Sequence, residues 1–363
     1  MSIKKESQPL AGVVVVDLSS NIAAPFTGAI LADLGADVVH IEPPTGDDSR
    51  RMSPTQGNAS AYFYVVNRNK MMQTLDLREQ ADRDSLIELL RAADVFVSNL
   101  RPHKLTELGL NEASMRARFP QLITAYLNAY GPHPDELDQA GYDGVVQART
   151  GIIGVTGGVE PARAGVSILD MGAGMWLSIG VISALFQRTQ SGIGSTVSTS
   201  LFETGVSWSS YHLLAHQISG DASARSGTGH PAFAPYGLFP TSDGEVMIGV
   251  GGDTVFERLV GAIGKHDLAK DPRFDTNMVR VANQDQLREL LSAAFIKFST
   301  VVLVAKLRAA DVPVDQLQLP EDLLKDSAAS SQLTKVVIDG HDAVIPALPL
   351  RINGEYPPIR SPF

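Results

Sequence analysis

The chain has no cysteine in its 363 residues, so a disulfide framework, a thiolate nucleophile and a cysteine-held metal are excluded. Aromatic residues are scarce at 6%, with only two tryptophans among them. Basic residues are outnumbered, 30 against 40 acidic ones, and the net charge of −10 argues against a nucleic-acid binder, which carries a basic excess. A glycine-rich phosphate fingerprint is also missing. The first strand runs into SSNIAAP instead of G-x-G-x-x-G, which counts against a nicotinamide oxidoreductase. MSIKKESQPLAG does not read as a secretory leader. The longest apolar helical stretch, Met175 to Phe186, reads as too short to cross a bilayer, so a soluble, cytoplasmic protein is expected.

What is present is clearest in Leu10–Pro44, LAGVVVVDLSSNIAAPFTGAILADLGADVVHIEPP. Val13–Val16 is an unbroken apolar run ending at Asp17, as in a parallel strand covered on both faces. Pro25 stands where a first helical residue would. Phe26, Ala29, Ile30 and Leu34 recur at helical spacing, and Gly35 ends the helix before a second strand over Val38–Ile41. This is a βαβ unit of nearly minimal length.

The alternation continues. Strands are expected over Gln73–Leu77, Asp94–Ser98 and Leu122–Leu127, and helices over Asp84–Ala93 and Glu112–Arg118. The pattern predicts a doubly wound α/β fold whose ligand binds past the strands' carboxyl ends, at Ser19–Ala24, Glu42–Arg51, Asn99–Lys104 and Asn128–Gly131. A helix from about Gly172 to Arg188, a strand over Thr196–Thr199 and a helix over Glu203–His216 follow. Length predicts two domains. The Gly/Ser/Ala-rich stretch 219–235 reads as a linker and 236–310 as a small α/β domain, with a strand over Glu245–Val250. Its helices are expected over Thr254–Ile263, Asp285–Phe298 and Val302–Ala310. A return linker over 311–325 leads to short strands around Val336 and Ala343, so 1–218 and about 326–363 make the large domain.

Arg50, Arg51, Arg68, Lys70, Arg101, His103 and Lys104 follow strand ends in the first third of the chain. Each alone reads as a solvated charge, but together they are the local patch that an acidic protein needs to bind phosphates. Asp170, in RAGVSILDMGAGMW, follows a short apolar strand expected over Val166–Leu169 and starts a helix. An Asp there serves as an N-cap, and the helix end keeps its carboxylate ionised. Gly172, Ala173 and Gly174 leave space beside it, and an ionised, uncrowded carboxylate suits covalent catalysis. His40, in a strand, reads as a core residue. His212 and His216 are one helical turn apart but lack a third ligand, so no metal site is expected. His230 follows the linker and could reach a site. Ser167, Ser198 and Ser200 have no nucleophile elbow around them.

A series of longer motifs runs in order along nearly the whole chain. They are PLAGVVVVDLS, ADLGADVVHIEPPTGDDSR, YFYVVNRNK, ADVFVSNLRP, NAYGP, AGYDGVVQARTGIIGVTG, RAGVSILDMGAGM, RTQSGIGSTVSTSLFET, GHPAFAPYGLFPTSDGEVMIGVG and DPRFDTNMVRVANQDQL. Through them the chain closely resembles the family III CoA-transferases, the CaiB/BaiF family. The resemblance implies a Rossmann-like large domain built from both chain ends, a smaller domain, and an intertwined homodimer. In it each chain threads a ring made by the other through the segments near 219–235 and 311–325.

The same resemblance implies an acyl-CoA:carboxylate CoA-transferase that moves CoA between small organic acids through an aspartyl-CoA intermediate. Its coenzyme A arrives as acyl-CoA substrate, with no metal, redox cofactor, nucleic acid or membrane involved. Asp170 falls on the family's catalytic aspartate. The family's CoA contacts fall on Ile22 and Ala23, on Arg68 and Lys70 in NRNK, and on Asn99, Leu100 and Arg101 in NLRP. Tyr130 of NAYGP would lie beside the thioester. Pro43 and Glu107 stand where the family often has basic residues, and the chain ends in PPIRSPF without an LGEHT-type tail. Tyr142 of AGYDG stands where the family's racemases carry histidine. Phenols ordinarily titrate near ~10 and are poor bases at neutral pH, which favours a transferase over the alternative, an α-methylacyl-CoA racemase. A non-catalytic CoA-binding homologue would explain Pro43 and Glu107 but not the retained Asp170. Acceptor specificity is expected near His230–Tyr236 and Gly249–Asp253, where Gly249, Gly251 and Gly252 suit either a mobile lid or a simple turn.

Overall fold

β1 (Val14–Leu18), α1 (Ala23–Asp33) and β2 (Asp37–Glu42) form the expected βαβ unit in the computed structural model, which describes residues 8–361. Helix α1 begins two residues ahead of Pro25, and Gly35 closes it at φ 107°, a left-handed turn that favours glycine. The central sheet goes on through β3 (Met71–Thr74), β4 (Val95–Ser98), β5 (Ile123–Asn128) and β6 (Thr196–Ser200). All its pairings are parallel, in the order β3-β2-β1-β4-β5-β6. The chain winds outward from β1 to β3, then returns to start again at β4. The crevice between the ends of β1 and β4 is therefore the topological switch point, where sheets of this kind bind ligands.

Helices pack on both faces: α2 (Ala61–Asn67), α3 (Gln80–Ala92), α4 (Glu112–Arg118), α5 (Asp143–Arg149) and α6 (Ile168–Ser191). Leu86 and Leu90 of α3 and Met115 of α4 pack with Val16 and Phe96 of the sheet, all at most 2% exposed. Burying one such side chain stabilises the fold by about 1.5–3 kcal/mol.

Helix α6 departs from expectation. It starts at Ile168, so there is no strand over Val166–Leu169, and it runs 24 residues to a left-handed Gly192. An 18-residue window of it has a mean hydropathy of 1.6, so by length and composition it is long and apolar enough to cross a membrane, contrary to the shorter stretch expected. Here it is a core helix laid across α1. A Cβ on Gly174 would come 2.6 Å from the Ala23 carbonyl oxygen, so only glycine allows this approach. Thr27 Oγ1 donates to the Gly174 carbonyl at 3.1 Å across the same crossing. The single helix expected over Glu203–His216 is two, α7 (Leu201–Trp208) and α8 (Ser210–Ser219).

The chain divides into two compact units. One runs to Gly151 and takes in Ala164–Leu214 and the chain from Ser327 onward; the other holds Ile152–Arg163 and Ala215–Asp326. In the first, β10 (Leu333–Ile338) and β11 (His341–Pro346) form a hairpin. In the second, β7 (Tyr236–Pro240), β8 (Glu245–Gly249) and β9 (Val314–Gln316) form an antiparallel sheet in the order β9-β8-β7. Helices α9 (Asp253–Ala262), α10 (Gln284–Phe295) and α11 (Thr300–Ala309) cover it. Their core includes Phe239, Val246, Phe256, Leu287, Phe295 and Leu307. Strand β9 lies within the stretch read as a return linker. Residues 152–163 join this unit because Gly157 bridges to Gly227 and Arg225 donates to the carbonyls of Gly158 and Val159.

Candidate active site

A cleft of about 350 Å³ opens past the carboxyl ends of β1, β4, β5 and β6, at the switch point. The loop Ser20–Ala23 forms one wall and Asn99–Arg101 the next; Tyr142 and Asp170 close it from the helices. Of the expected residues, Ile22, Ala23, Asn99, Leu100, Arg101 and Asp170 are thus brought together. Tyr130 is not on the wall. It is 8% exposed, and the Arg149 guanidinium lies 4.9 Å over its ring.

Asn99 reaches the cleft with its polar atoms already engaged. Its Oδ1 accepts from the Ser20 amide at 3.0 Å and its Nδ2 donates to the Ser20 carbonyl at 2.8 Å. The side chain thereby prolongs the β1–β4 pairing by one residue and fixes the loop.

Asp170 is the third residue of α6 and does not cap it. The buried Asp143, in the first turn of α5, does: its Oδ2 accepts from the amides of Leu169 at 2.7 Å and Asp170 at 3.4 Å. Asp143 Oδ1 in turn accepts from Gln147 Nε2, and Gln147 Oε1 accepts from the Ala164 amide at 3.0 Å. With the helix amides taken, Asp170 gains no such stabilisation. Burial, and secondly the nearby Asp143 charge, push its carboxyl up to about 7. This overturns the expectation of a carboxylate kept ionised by the helix start. Its proton balance instead lies near neutrality, as for a group poised for acid–base or nucleophilic chemistry.

The expected space at Gly172 and Gly174 is also filled. A Cβ on Gly172 would meet the Trp208 ring at 2.3 Å, and Gly174 faces α1. The open side of Asp170 is the cleft itself.

The expected cationic patch is largely neutralised, and Arg68 and Lys70, expected as ligand contacts, do not line the cleft. Lys70, 4% exposed, donates through Nζ to Asp17 Oδ2 at 2.7 Å, to the Pro25 carbonyl at 2.7 Å and to Asn67 Oδ1 at 2.8 Å. Burial alone would raise the Asp17 carboxyl, but the Lys70 ammonium and the His40 ring outweigh it and hold that group far below the usual carboxylate range. Arg68, 3% exposed, donates to Asp33 Oδ2 through Nε at 3.0 Å and Nη2 at 2.5 Å. Both cations therefore stabilise the underside of α1. Arg50 pairs with Glu42, Arg51 with Asp48, His103 with Asp138 and Lys104 with Glu107. Arg101 is left as the only Lys or Arg on the cleft wall among the described residues.

Among the described residues no group of three His, Asp or Glu side chains could hold a metal ion. His212 is ring-packed against Tyr211, and His216 Nδ1 lies 2.7 Å from the Asp221 carbonyl oxygen. Sequence reasoning missed the part played by Asp143. The one local signal for it was an acidic residue beside Tyr142 at the head of α5, and its target lies 27 residues ahead.

The chain can now be set beside known proteins. The sequence model of CoA-transferase family III matches residues 10–362. An acetyl-CoA:oxalate CoA-transferase of Acetobacter aceti is 34% identical over 99% of this chain and 92% of its own length. A succinate–glutarate CoA-transferase of Agrobacterium fabrum is 30% identical over 97% of this chain and 91% of its own. Among solved structures, a CaiB/BaiF family protein from Brucella suis superposes with a TM-score of 0.86 at 32% identity, covering 98% of this chain and 95% of that one. With its fold and nearly its whole length in agreement, the chain belongs to CoA-transferase family III and is a transferase.

Proposed function

We propose that the protein moves CoA from an acyl-CoA to a free carboxylic acid through covalent intermediates on Asp170. The carrying observation is the position of Asp170: a buried-side carboxyl, raised to about 7, opening onto the switch-point cleft. The ionised carboxylate attacks the thioester carbonyl carbon, and the C–S bond breaks to release CoA thiolate, leaving a mixed anhydride. The thiolate then attacks the aspartyl carbonyl of that anhydride and expels the donor acid, giving an aspartyl-CoA thioester. The acceptor carboxylate attacks this thioester, again freeing thiolate and forming a second anhydride. Attack of the thiolate on the acceptor's acyl carbon yields the new acyl-CoA and returns the Asp170 carboxylate. Every step exchanges one activated acyl bond for another, so little driving force is lost.

In this reading Ile22, Ala23, Asn99, Leu100 and Arg101 form the acyl-CoA wall, with Arg101 offering its charge to a phosphate. Tyr130 shapes the wall from behind. Arg68 and Lys70 act through the packing of α1. Tyr142, 71% exposed and lining the cleft, faces the acyl group. Lacking an imidazole there, the site is ill-suited to α-proton exchange. The relatives named for oxalate, succinate and glutarate support small dicarboxylic acids as partners in exchange. A homodimer, interlocked as the resemblance implies, is part of the proposal. It is supported by Met175, Trp176, Ile179 and Phe186 on α6 and by Trp208 on α7, each 42–68% exposed.

The test is chemical. Incubation with succinyl-CoA and a panel of acids is expected to give new CoA esters by mass spectrometry, with hydroxylamine trapping a derivative on Asp170. Asp170→Ala is expected to lose transfer while keeping the fold. Turnover retained by Asp170→Ala, or a trapped peptide that excludes Asp170, would overturn the covalent role.

A further inference from the structure

The cleft wall after β1 contains no glycine, yet Asn21 holds a left-handed φ of 65°. Asparagine adopts that region more readily than other non-glycine residues, and a neighbour holds it there. The neighbour is Asp47, 2% exposed, from the segment after β2. Both its carboxylate oxygens lie 3.3 Å from the Asn21 amide nitrogen. Its Oδ1 also accepts from the amide and the hydroxyl of Ser49, each at 2.6 Å. The Met52 amide then donates to the Ser49 carbonyl at 3.2 Å, and Met52 lines the cleft. Asp47 thus joins two parts of the wall while standing outside it.

Behind Asp47 the hydrogen bonds continue into the core. Its amide donates to Glu42 Oε1 at 2.9 Å, and Glu42 is held by Arg50 through Nε at 2.7 Å and Nη2 at 2.6 Å. His40 Nε2 lies 3.8 Å from Asp47 Oδ2, buried and without a hydrogen-bond partner. The other ring nitrogen of His40 lies 3.0 Å from Asp17 Oδ2, which Lys70 also holds. A line of buried polar side chains therefore runs from Lys70 through Asp17 and His40 to Asp47, and ends on the backbone of the cleft wall.

We propose that Asp47 is a positioning residue for acyl-CoA. It sets the Asn21 amide, and with it the shape in which Ser20–Ala23 and Met52 meet the bound thioester. This rests on the transferase reading of the cleft. Because Asp47 does not touch Asp170, its loss acts on acyl-CoA binding and not on the chemical steps.

The experiment measures kcat and the KM of each substrate separately, with thermal melts and calorimetric binding of free CoA. Asp47→Ala is expected to raise the acyl-CoA KM and the CoA Kd about tenfold, leaving kcat and the acceptor KM within about twofold; removing one hydrogen-bonded anchor to a charged group is of this size. Asp47→Asn, which keeps an acceptor oxygen, is expected to recover most of the loss. Asn21→Val, which resists the left-handed φ, is expected to raise the acyl-CoA KM several-fold more than Asn21→Gly. A folded Asp47→Ala with unchanged acyl-CoA KM, or one that loses kcat alone, overturns the proposal. If Asp47→Ala does not fold, equal KM values for Asn21→Val and Asn21→Gly overturn it. A wild type that neither binds CoA nor transfers it overturns the functional reading, and the positioning role with it.

Discussion

Replacing Asp170 by asparagine should make the protein more stable, and increasingly so as the pH rises. The side chain keeps its size and loses its charge. In the fold the carboxyl is raised from 3.8 to about 7. At about 1.4 kcal/mol per unit, ionising it there costs about 4 kcal/mol, which water at the cleft mouth reduces to roughly 2–4 kcal/mol. The sign follows from proton uptake. Below the unfolded pKa both states are protonated and nothing is lost. Between 3.8 and 7 the unfolded chain has released a proton that the fold still holds, so stability falls as pH rises. Above 7 the full cost is present. Asparagine escapes it, so its advantage over the wild type should grow by about 2 kcal/mol between roughly pH 5 and pH 8. Urea unfolding followed by circular dichroism, without CoA and at one protein concentration, reads this directly. Stability curves that run parallel with pH, or an Asp170→Asn variant less stable at pH 8, would refute a strained carboxyl at this position. The confirming result would show a nucleophile held at a stability cost.

Other outcomes follow from the same site. If the ionised carboxylate attacks, kcat/KM for acyl-CoA should rise about tenfold per unit of pH up to about 7 and level off above it. Asp143→Asn, which keeps an oxygen for the α6 amides but removes the charge, should move that rise to lower pH; an unmoved profile would remove Asp143 from the electrostatics. Gly174→Val should lower stability by about 1–3 kcal/mol, because its Cβ has no room against α1. A melting temperature equal to the wild type would argue against the close helix crossing. Light scattering should give a homodimer; an active monomer of the 38.8 kDa chain would rule out the interlocked assembly.

The fold was legible where local pattern and burial coincide. The run Val13–Val16 and the spacing of Ala29 and Ile30 gave β1 and α1, because this strand and helix are buried and mostly apolar. Strand β7 was not expected; the hydrogen bonds that define it come from its pairing partner β8. The start of α6 was misplaced for a similar reason. An Asp before glycines looks like a cap, and the true cap is a carboxylate from another helix. Arg68 and Lys70 look solvated in NRNK because their partners, Asp33 and Asp17, lie 35 and 53 positions away. Ile22, Ala23, Asn99, Leu100, Arg101 and Asp170 of the cleft wall were found by motif, while the side chains that hold the wall in shape were not. Buried polar contacts between distant residues leave no period in a sequence.

The choice of cation on the cleft wall has a chemical consequence. A mixed anhydride and a thioester both acylate amines, and an enzyme that forms them next to a lysine would modify itself. Among the described residues the wall carries no lysine, histidine or cysteine, and its one cation is Arg101. A guanidinium stays protonated and does not act as a nucleophile at neutral pH. Lys70 is sealed beneath α1 with its ammonium fully hydrogen-bonded. On the proposed covalent route, acyl groups in this cleft would therefore meet no amine, imidazole or thiol of the wall, and the kind of positive charge placed near them would protect the enzyme from its own intermediates.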